Sequence, residues 1–318
     1  MKELWRSWRL SLLGLPILMG LMGGWMTVAV KNPPANQQVD LRADLSSPQP
    51  LPLDVVESLV DQGQTRTYYL HTPTTHTPNR PRPLIVALHG SGMQGKEMAE
   101  KTALNQLADR EGFVVVYPDA LKKKWNVSGK APEDNVAFVH TLIRQVERTR
   151  SIDSTRIYVV GLSNGGILAQ KLACENPRGI TAIATVAASL PTQFSTHCQT
   201  QKPIPILMVN GTNDPVVPWE GGASPAIHIG RDLSVPSIPD VIDFWQQHNG
   251  CPSLPHVEAI SDRVEVTHYV NCQAQSEVKL VALQGATHVW SGGAYGQSVF
   301  GDTTTRVWQF FQRHSLQP

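Results

Sequence analysis

The sequence predicts an α/β fold: a mostly parallel central sheet with helices on both faces. Three observations carry this prediction. Short apolar runs, free of charge, recur along the chain as strands buried on both faces do. Between them lie stretches with apolar residues at helical spacing. The two kinds alternate rather than segregate, which calls for crossover connections and parallel neighbours. With 318 residues, 41% hydrophobic and 17% charged, the chain can bury a large core.

The N-terminus stands apart from this pattern. Lys2, Arg6 and Arg9 precede an uncharged run from Leu10 to Val30, the arrangement of an export signal. Thr27-Val28-Ala29 supplies small residues for cleavage, yet the run is also long enough to stay in a bilayer as an anchor. Its four glycines and Pro16 weaken it as a permanent helix, so residues 1–30 read as a cleaved signal before an anchor. Residues 31–54 are polar and proline-rich, the composition of a linker. A single folded domain is then expected over residues 55–318.

Within that domain the elements follow in order. Thr65 to Pro73 alternates like an outer strand, and Pro83 to Gly90 ("PLIVALHG") is a buried one. Glu97 to Arg110 reads as one helix, followed by a strand over Phe113 to Asp119. Ala137 to Arg150 places Phe138, Leu142 and Val146 on one helical face. Arg156 to Val160 is the next strand and Ile167 to Cys174 the next helix. Strands over Ile180 to Ala188 and Ile204 to Thr212, and a helix over Val241 to His248, come next. Val264 to Val270 is strand-like, Glu277 to Leu283 is a strand, and a helix over Thr303 to His314 closes the chain. The stretch Trp219 to Pro239, rich in Gly, Pro and Ser, reads as a lid or rim loop.

Charge excludes one class of partner. Twenty-seven Lys and Arg face twenty-six Asp and Glu, and the three lysines of "LKKKW" form a solvated loop, so no nucleic-acid partner is expected. Contact with a membrane is expected only through the N-terminal segment, if it is not removed. Four cysteines suit two bridges in an oxidising space. Cys251 and Cys272 flank the strand-like Val264 to Val270 and would staple it, leaving Cys174 with Cys198 by elimination; buried free thiols are the alternative. The spacings match no zinc pattern.

The chemistry centres on "RIYVVGLSNGGILAQ", Arg156 to Gln170. Gly161-Leu162-Ser163-Asn164-Gly165 joins a predicted strand to a predicted helix, the context of the α/β-hydrolase nucleophile turn. A serine of ordinary basicity needs a base, and the base needs an acid to orient it. In this fold the acid and then the histidine follow the serine along the chain. Asp214, in "NGTNDPVVPW", lies just past a strand, and His288, in "LQGATHVWSGG", lies between the last strand and the last helix. Asp232, Asp240 and Asp243 fall in the irregular loop or a helix, and His268 falls within a strand. Two donors must receive the developing oxyanion. The backbone N–H of Asn164 is one and that of Ser91, in His89-Gly90-Ser91-Gly92, the other. His89 precedes the serine and is expected to be structural. Trp290, beside the histidine, is a further candidate for the substrate cleft.

"RPLIVALHGSG", "LADREGFVVVYPD", "KKWN", "GLSNGG", "NGTNDPVVPW" and "THVWSGG", in this order, resemble the poly(3-hydroxybutyrate) depolymerase and feruloyl esterase-like group of secreted α/β-hydrolases. The resemblance runs from about Arg82 to Phe311. It implies an ester hydrolase with Ser163, Asp214 and His288 as its triad, no cofactor and no metal, and Trp125 and Asp134 lining or bracing the cleft. Members usually carry a second aspartate where this chain has Asn135, and Val289 and Ser291 depart from the usual histidine loop. The chain ends at Pro318, without a polymer-binding module, so soluble esters or short oligomers are the expected substrates, outside the cytoplasm. A serine peptidase on the same fold and a catalytically idle exported binding protein are the alternatives.

Overall fold

The computed structural model describes residues 53–75, 77, 80–127, 134–196, 198, 202–224, 234–296 and 298–316, all within the unit Pro50–Pro318. The N-terminal segment and most of the linker lie outside the described residues, as do residues 225–233 of the expected lid.

The chain opens with a hairpin, β1 (Asp54–Asp61) and β2 (Gln64–His71), before β3 (Arg82–Leu88). Helices α1 (Gly95–Thr102) and α2 (Leu104–Glu111) lead into β4 (Val114–Pro118), α3 (Asn135–Thr149), β5 (Ile152–Leu162) and α4 (Asn164–Glu175). Next come β6 (Ala182–Val186), the short α5 (Thr192–Ser195), β7 (Ile206–Gly211) and the two-residue strands β8 (Gly222–Ala223) and β9 (Ser234–Val235). The chain closes with α6 (Ile238–His248), β10 (His256–Ser261), β11 (Val264–Tyr269), β12 (Val278–Leu283) and α7 (Thr303–Phe311).

Ten strands form one sheet in the order β1-β2-β4-β3-β5-β6-β7-β12-β11-β10. The six from β4 to β12 run parallel, and the outer pairs at each side are antiparallel. The fold is that of an α/β-hydrolase. Alternation along the strands splits the core in two, because successive side chains point to opposite faces. Leu84, Val86 and Leu88 of β3 join a cluster with Phe138, Leu142, Leu172 and Trp245 of α3, α4 and α6. Ile85 and Ala87 join the opposite cluster with Met98, Leu107, Trp308 and Phe311 of α1, α2 and α7.

Three elements differ from the sequence expectation. The helix expected over Glu97 to Arg110 is broken at Ala103, which sits at φ 54. The break follows a tertiary bond: the Thr102 carbonyl accepts the Thr304 hydroxyl at 2.5 Å instead of continuing a helical ladder. Strand β1 begins at Asp54, inside the expected linker, and carries apolar residues on both faces. Its inner face also holds Glu57, which bonds Arg150 at 3.1 Å and the Tyr68 hydroxyl at 2.7 Å. Strand β10 is exposed throughout, so burial leaves no alternation to read. Both cysteine pairs form as expected, Cys174 with Cys198 and Cys251 with Cys272, and none is left free.

Candidate active site

Parallel strands bring their C-terminal ends to one edge of the sheet, and β3, β5, β7 and β12 each deliver a predicted residue there. Ser163 occupies the single position between β5 and α4. Its backbone sits at φ 53 and ψ −118, a region that costs a non-glycine residue about 1–3 kcal/mol. Neighbouring contacts hold it there. The Ser163 N–H donates to the Val186 carbonyl at 2.8 Å, while its carbonyl accepts the Ile167 N–H. The glycines around it answer to space. A Cβ added to Gly161 would lie 2.2 Å from the Gly165 carbonyl, and one on Gly165 would lie 2.3 Å from the Leu88 carbonyl oxygen.

Asp214 follows β7 in a turn that its own side chain closes. One carboxylate oxygen accepts the N–H groups of Val216 and Val217, at 2.8 and 2.9 Å. The other meets Nδ1 of His288 at 2.8 Å, and the Asp214 side chain is fully buried. The proton on Nδ1 therefore faces the carboxylate, which leaves Nε2 as the nitrogen with a free lone pair. The two loops are tied to each other directly. Asn213 N–H donates to the Ala286 carbonyl at 3.0 Å, and Gly285 N–H to the Thr212 hydroxyl at 2.8 Å. Gly211 permits this approach, since a Cβ there would lie 2.3 Å from the Ala286 carbonyl oxygen.

The loop after β3 carries Ser91 at the surface. Its neighbours are engaged, Gly92 N–H to the Lys123 carbonyl and Met93 N–H to the Gly90 carbonyl, while the Ser91 N–H has no acceptor among the described residues. Asn164 is the first residue of α4, so the helix cannot satisfy its N–H either. The positive end of α4 and the available Asn164 N–H thus adjoin Ser163, an arrangement that favours an anion. His89 is fully buried, as a structural role demands. Burial pushes its pKa down, its Nδ1 donates to the Gly90 carbonyl at 2.7 Å, and Nε2 accepts the Ala120 N–H at 3.0 Å.

The three residues expected at the substrate cleft are all engaged in contacts within the protein. Trp290 is 3% exposed, packs in the core against α7, and donates its indole N–H to Thr304 at 2.9 Å. It braces the histidine loop and offers no face to a ligand. Trp125 is 1% exposed, so of the two roles expected of it only bracing fits. The Asp134 carboxylate caps α3 through the N–H groups of Val136 and Ala137. Asn135 is buried and donates to the Asn126 carbonyl at 3.2 Å. Ser291, a departure from the family loop, bonds the Gly301 carbonyl at 2.9 Å. Sequence reasoning missed two supporting interactions. Asp302 accepts the Gly293 N–H at 2.8 Å and pins the far end of the histidine loop. The Asn164 side chain accepts the Trp125 N–H at 2.8 Å. Neither has a sequence signal beyond a polar residue at a helix start.

The Esterase PHB depolymerase family matches residues 66–217, a span that holds Ser91, Ser163 and Asp214. NocK of Nocardia uniformis subsp. tsuyamanensis, assigned as an esterase, is 28% identical over 269 residues, 78% of this chain and 78% of its own. Feruloyl esterase B of Piromyces equi is 27% identical over 256 residues, 77% of this chain. Residues 66–217 thus match this family, and both relatives carry the name of esterases. The chain spans only 44% of the Piromyces enzyme's length. Among solved structures, the acetyl xylan esterase of Aspergillus awamori superposes with a TM-score of 0.62 at 13% identity, over 81% of this chain and 99% of that one. Like the relatives it matches, the protein is an esterase, a carboxylic-ester hydrolase.

Proposed function

We propose that the esterase is exported and hydrolyses short-chain, hydroxyalkanoate or feruloyl-type esters through a Ser163–His288–Asp214 triad. The observation that carries this reading is the hydrogen bond between buried Asp214 and half-buried His288, on the sheet edge that presents Ser163 in its strained turn. The Ser163 hydroxyl attacks the ester carbonyl while His288 Nε2 takes its proton. The tetrahedral oxyanion is received by the N–H groups of Ser91 and Asn164. Collapse expels the alcohol, which takes the proton from His288, and leaves an acyl-Ser163. Water, deprotonated by His288, repeats the attack; the acid departs and Ser163 recovers its proton. Asp214 holds the imidazole and stabilises the imidazolium.

Two disulfides and the basic-then-apolar N-terminus support export, since such bonds persist in oxidising compartments. The test is turnover of p-nitrophenyl acetate and butyrate by the full chain, with fluorophosphonate labelling mapped by mass spectrometry. Turnover that survives in Ser163→Ala rejects the mechanism. Peptide cleavage without ester cleavage would make it a peptidase, and an unlabelled, inactive chain a binding protein.

A further inference from the structure

The two halves of the proposed oxyanion site come from different parts of the chain, the loop after β3 and the start of α4. Something must fix their separation, because donors contribute only when aimed at where the charge develops. One continuous chain of buried groups joins them. The Asn164 side chain accepts the Trp125 N–H at 2.8 Å, and its amide faces the Trp125 carbonyl at 3.4 Å. The Trp125 indole N–H donates to the His89 carbonyl at 2.9 Å, and its ring lies 4.9 Å from the His89 ring. His89 in turn bonds the Gly90 carbonyl, one residue before Ser91. All three side chains are buried: Asn164 at 7%, Trp125 at 1% and His89 at 0% exposure.

We infer that Asn164 and Trp125 are positioning residues, a clamp that sets the spacing between the two oxyanion donors. The Asn164 residue then works twice, its backbone N–H facing the substrate and its side chain holding the opposite wall. No ordinary packing need explains the arrangement. An apolar side chain at either position would fill the space without orienting the His89 carbonyl. The indole bond fixes the peptide that joins His89 to Gly90, and the same stretch presses on Gly165, where a Cβ would meet the His89 carbonyl oxygen at 2.7 Å. The nucleophile turn and the donor loop are thus held in register at two points, one by polar bonds and one by contact.

This inference rests on the triad reading, and the experiment separates the two. Trp125→Phe keeps the ring and removes only the indole donor; Asn164→Ala removes the other end of the clamp. Each is expected to lower kcat for p-nitrophenyl butyrate roughly 10–100-fold with KM within about threefold. That is less than the loss on deleting a donor outright, because the N–H groups remain but are misaimed. Binding of phenylboronic acid, which forms a tetrahedral adduct on the serine, should weaken about tenfold or more. The double variant should be no worse than the weaker single one, because both break the same chain. Wild-type kcat in Trp125→Phe, a matching rise in KM, or additive losses in the double variant would overturn the clamp. If Asn164→Ala does not fold, Trp125→Phe decides alone. Loss of turnover in Ser163→Ala with Trp125→Phe unaffected sinks the clamp and spares the triad; turnover that survives in Ser163→Ala sinks the triad.

Discussion

Gly161→Ala puts the packing of the nucleophile turn to a quantitative test. A methyl group there would begin 2.2 Å from the carbonyl carbon and oxygen of Gly165 and 2.4 Å from the Gly166 nitrogen. Non-bonded carbon atoms settle at about 3.5–4.0 Å. Strand β5 and the first turn of α4 must therefore separate by more than about 1 Å. Both are backbone, so no side-chain rotation relieves the clash. Overpacking of this kind costs about 1–3 kcal/mol, which lowers Tm by roughly 2–12 °C in a domain of this size. The same shift moves Ser163 away from His288, and a misplacement of that order costs about 100-fold in rate. Melting followed by circular dichroism and kcat for p-nitrophenyl butyrate read the two effects. Gly179→Ala is the control: Gly179 sits at φ 71 with nothing within 4 Å of an added Cβ. It should lose about 1 kcal/mol through backbone strain and keep full activity. Wild-type Tm and kcat in Gly161→Ala would refute the argument that space, rather than habit, requires a glycine there.

Asp214→Asn should lower kcat by about 10⁴-fold with little change in KM, because the amide favours the wrong imidazole tautomer; full activity would remove Asp214 from the mechanism. Glu277 offers a stability test. Burial acts to raise its pKa, but hydrogen bonds from His268, His314 and Arg313 outweigh burial and hold the carboxyl well below the usual range. Its stabilisation is therefore present above the unfolded value of about 4.3 and fades as pH falls from there toward the depressed folded value. Glu277→Gln should cost about 3 kcal/mol at pH 7, and the Tm gap to wild type should narrow below about pH 4. A gap that widens on acidification contradicts this assignment. Each disulfide closes a loop, with sequence separations of 24 and 21, worth about 3 kcal/mol apiece. Reduction should then lower Tm sharply, an outcome followed by thiol titration alongside calorimetry.

Much of this molecule was legible before its structure. The six parallel strands announce themselves because burial on both faces leaves uninterrupted apolar runs. Ser163, Asp214 and His288 could be ordered because the fold dictates which strand ends carry them. The edges were not legible, since β1 mixes Glu57 with Val55 and Leu59 on its inner face and β10 is exposed along its whole length. Nor was the break at Ala103, where the local sequence favours helix and a bond from Thr304 decides otherwise. The tryptophans mislead for a related reason. A sequence shows a large amphipathic ring near a site, but only the fold shows that the Trp290 indole bonds Thr304 inward. Side-chain direction at a loop is a tertiary property, and pattern alone does not carry it.

The placement of the two disulfides has a further consequence. Cys272 lies just before β12, at the end of that strand away from His288, and Cys251 is bonded to it. Cys174 lies ten residues along α4 from Asn164, about 15 Å from the nucleophile turn. Covalent reinforcement is thus confined to the floor of the sheet, while the proposed triad occupies its roof. The loops of the roof carry no crosslink that a change of length or composition would break. Such a division lets new substrate preferences arise by altering the rim while the foundations stay fixed.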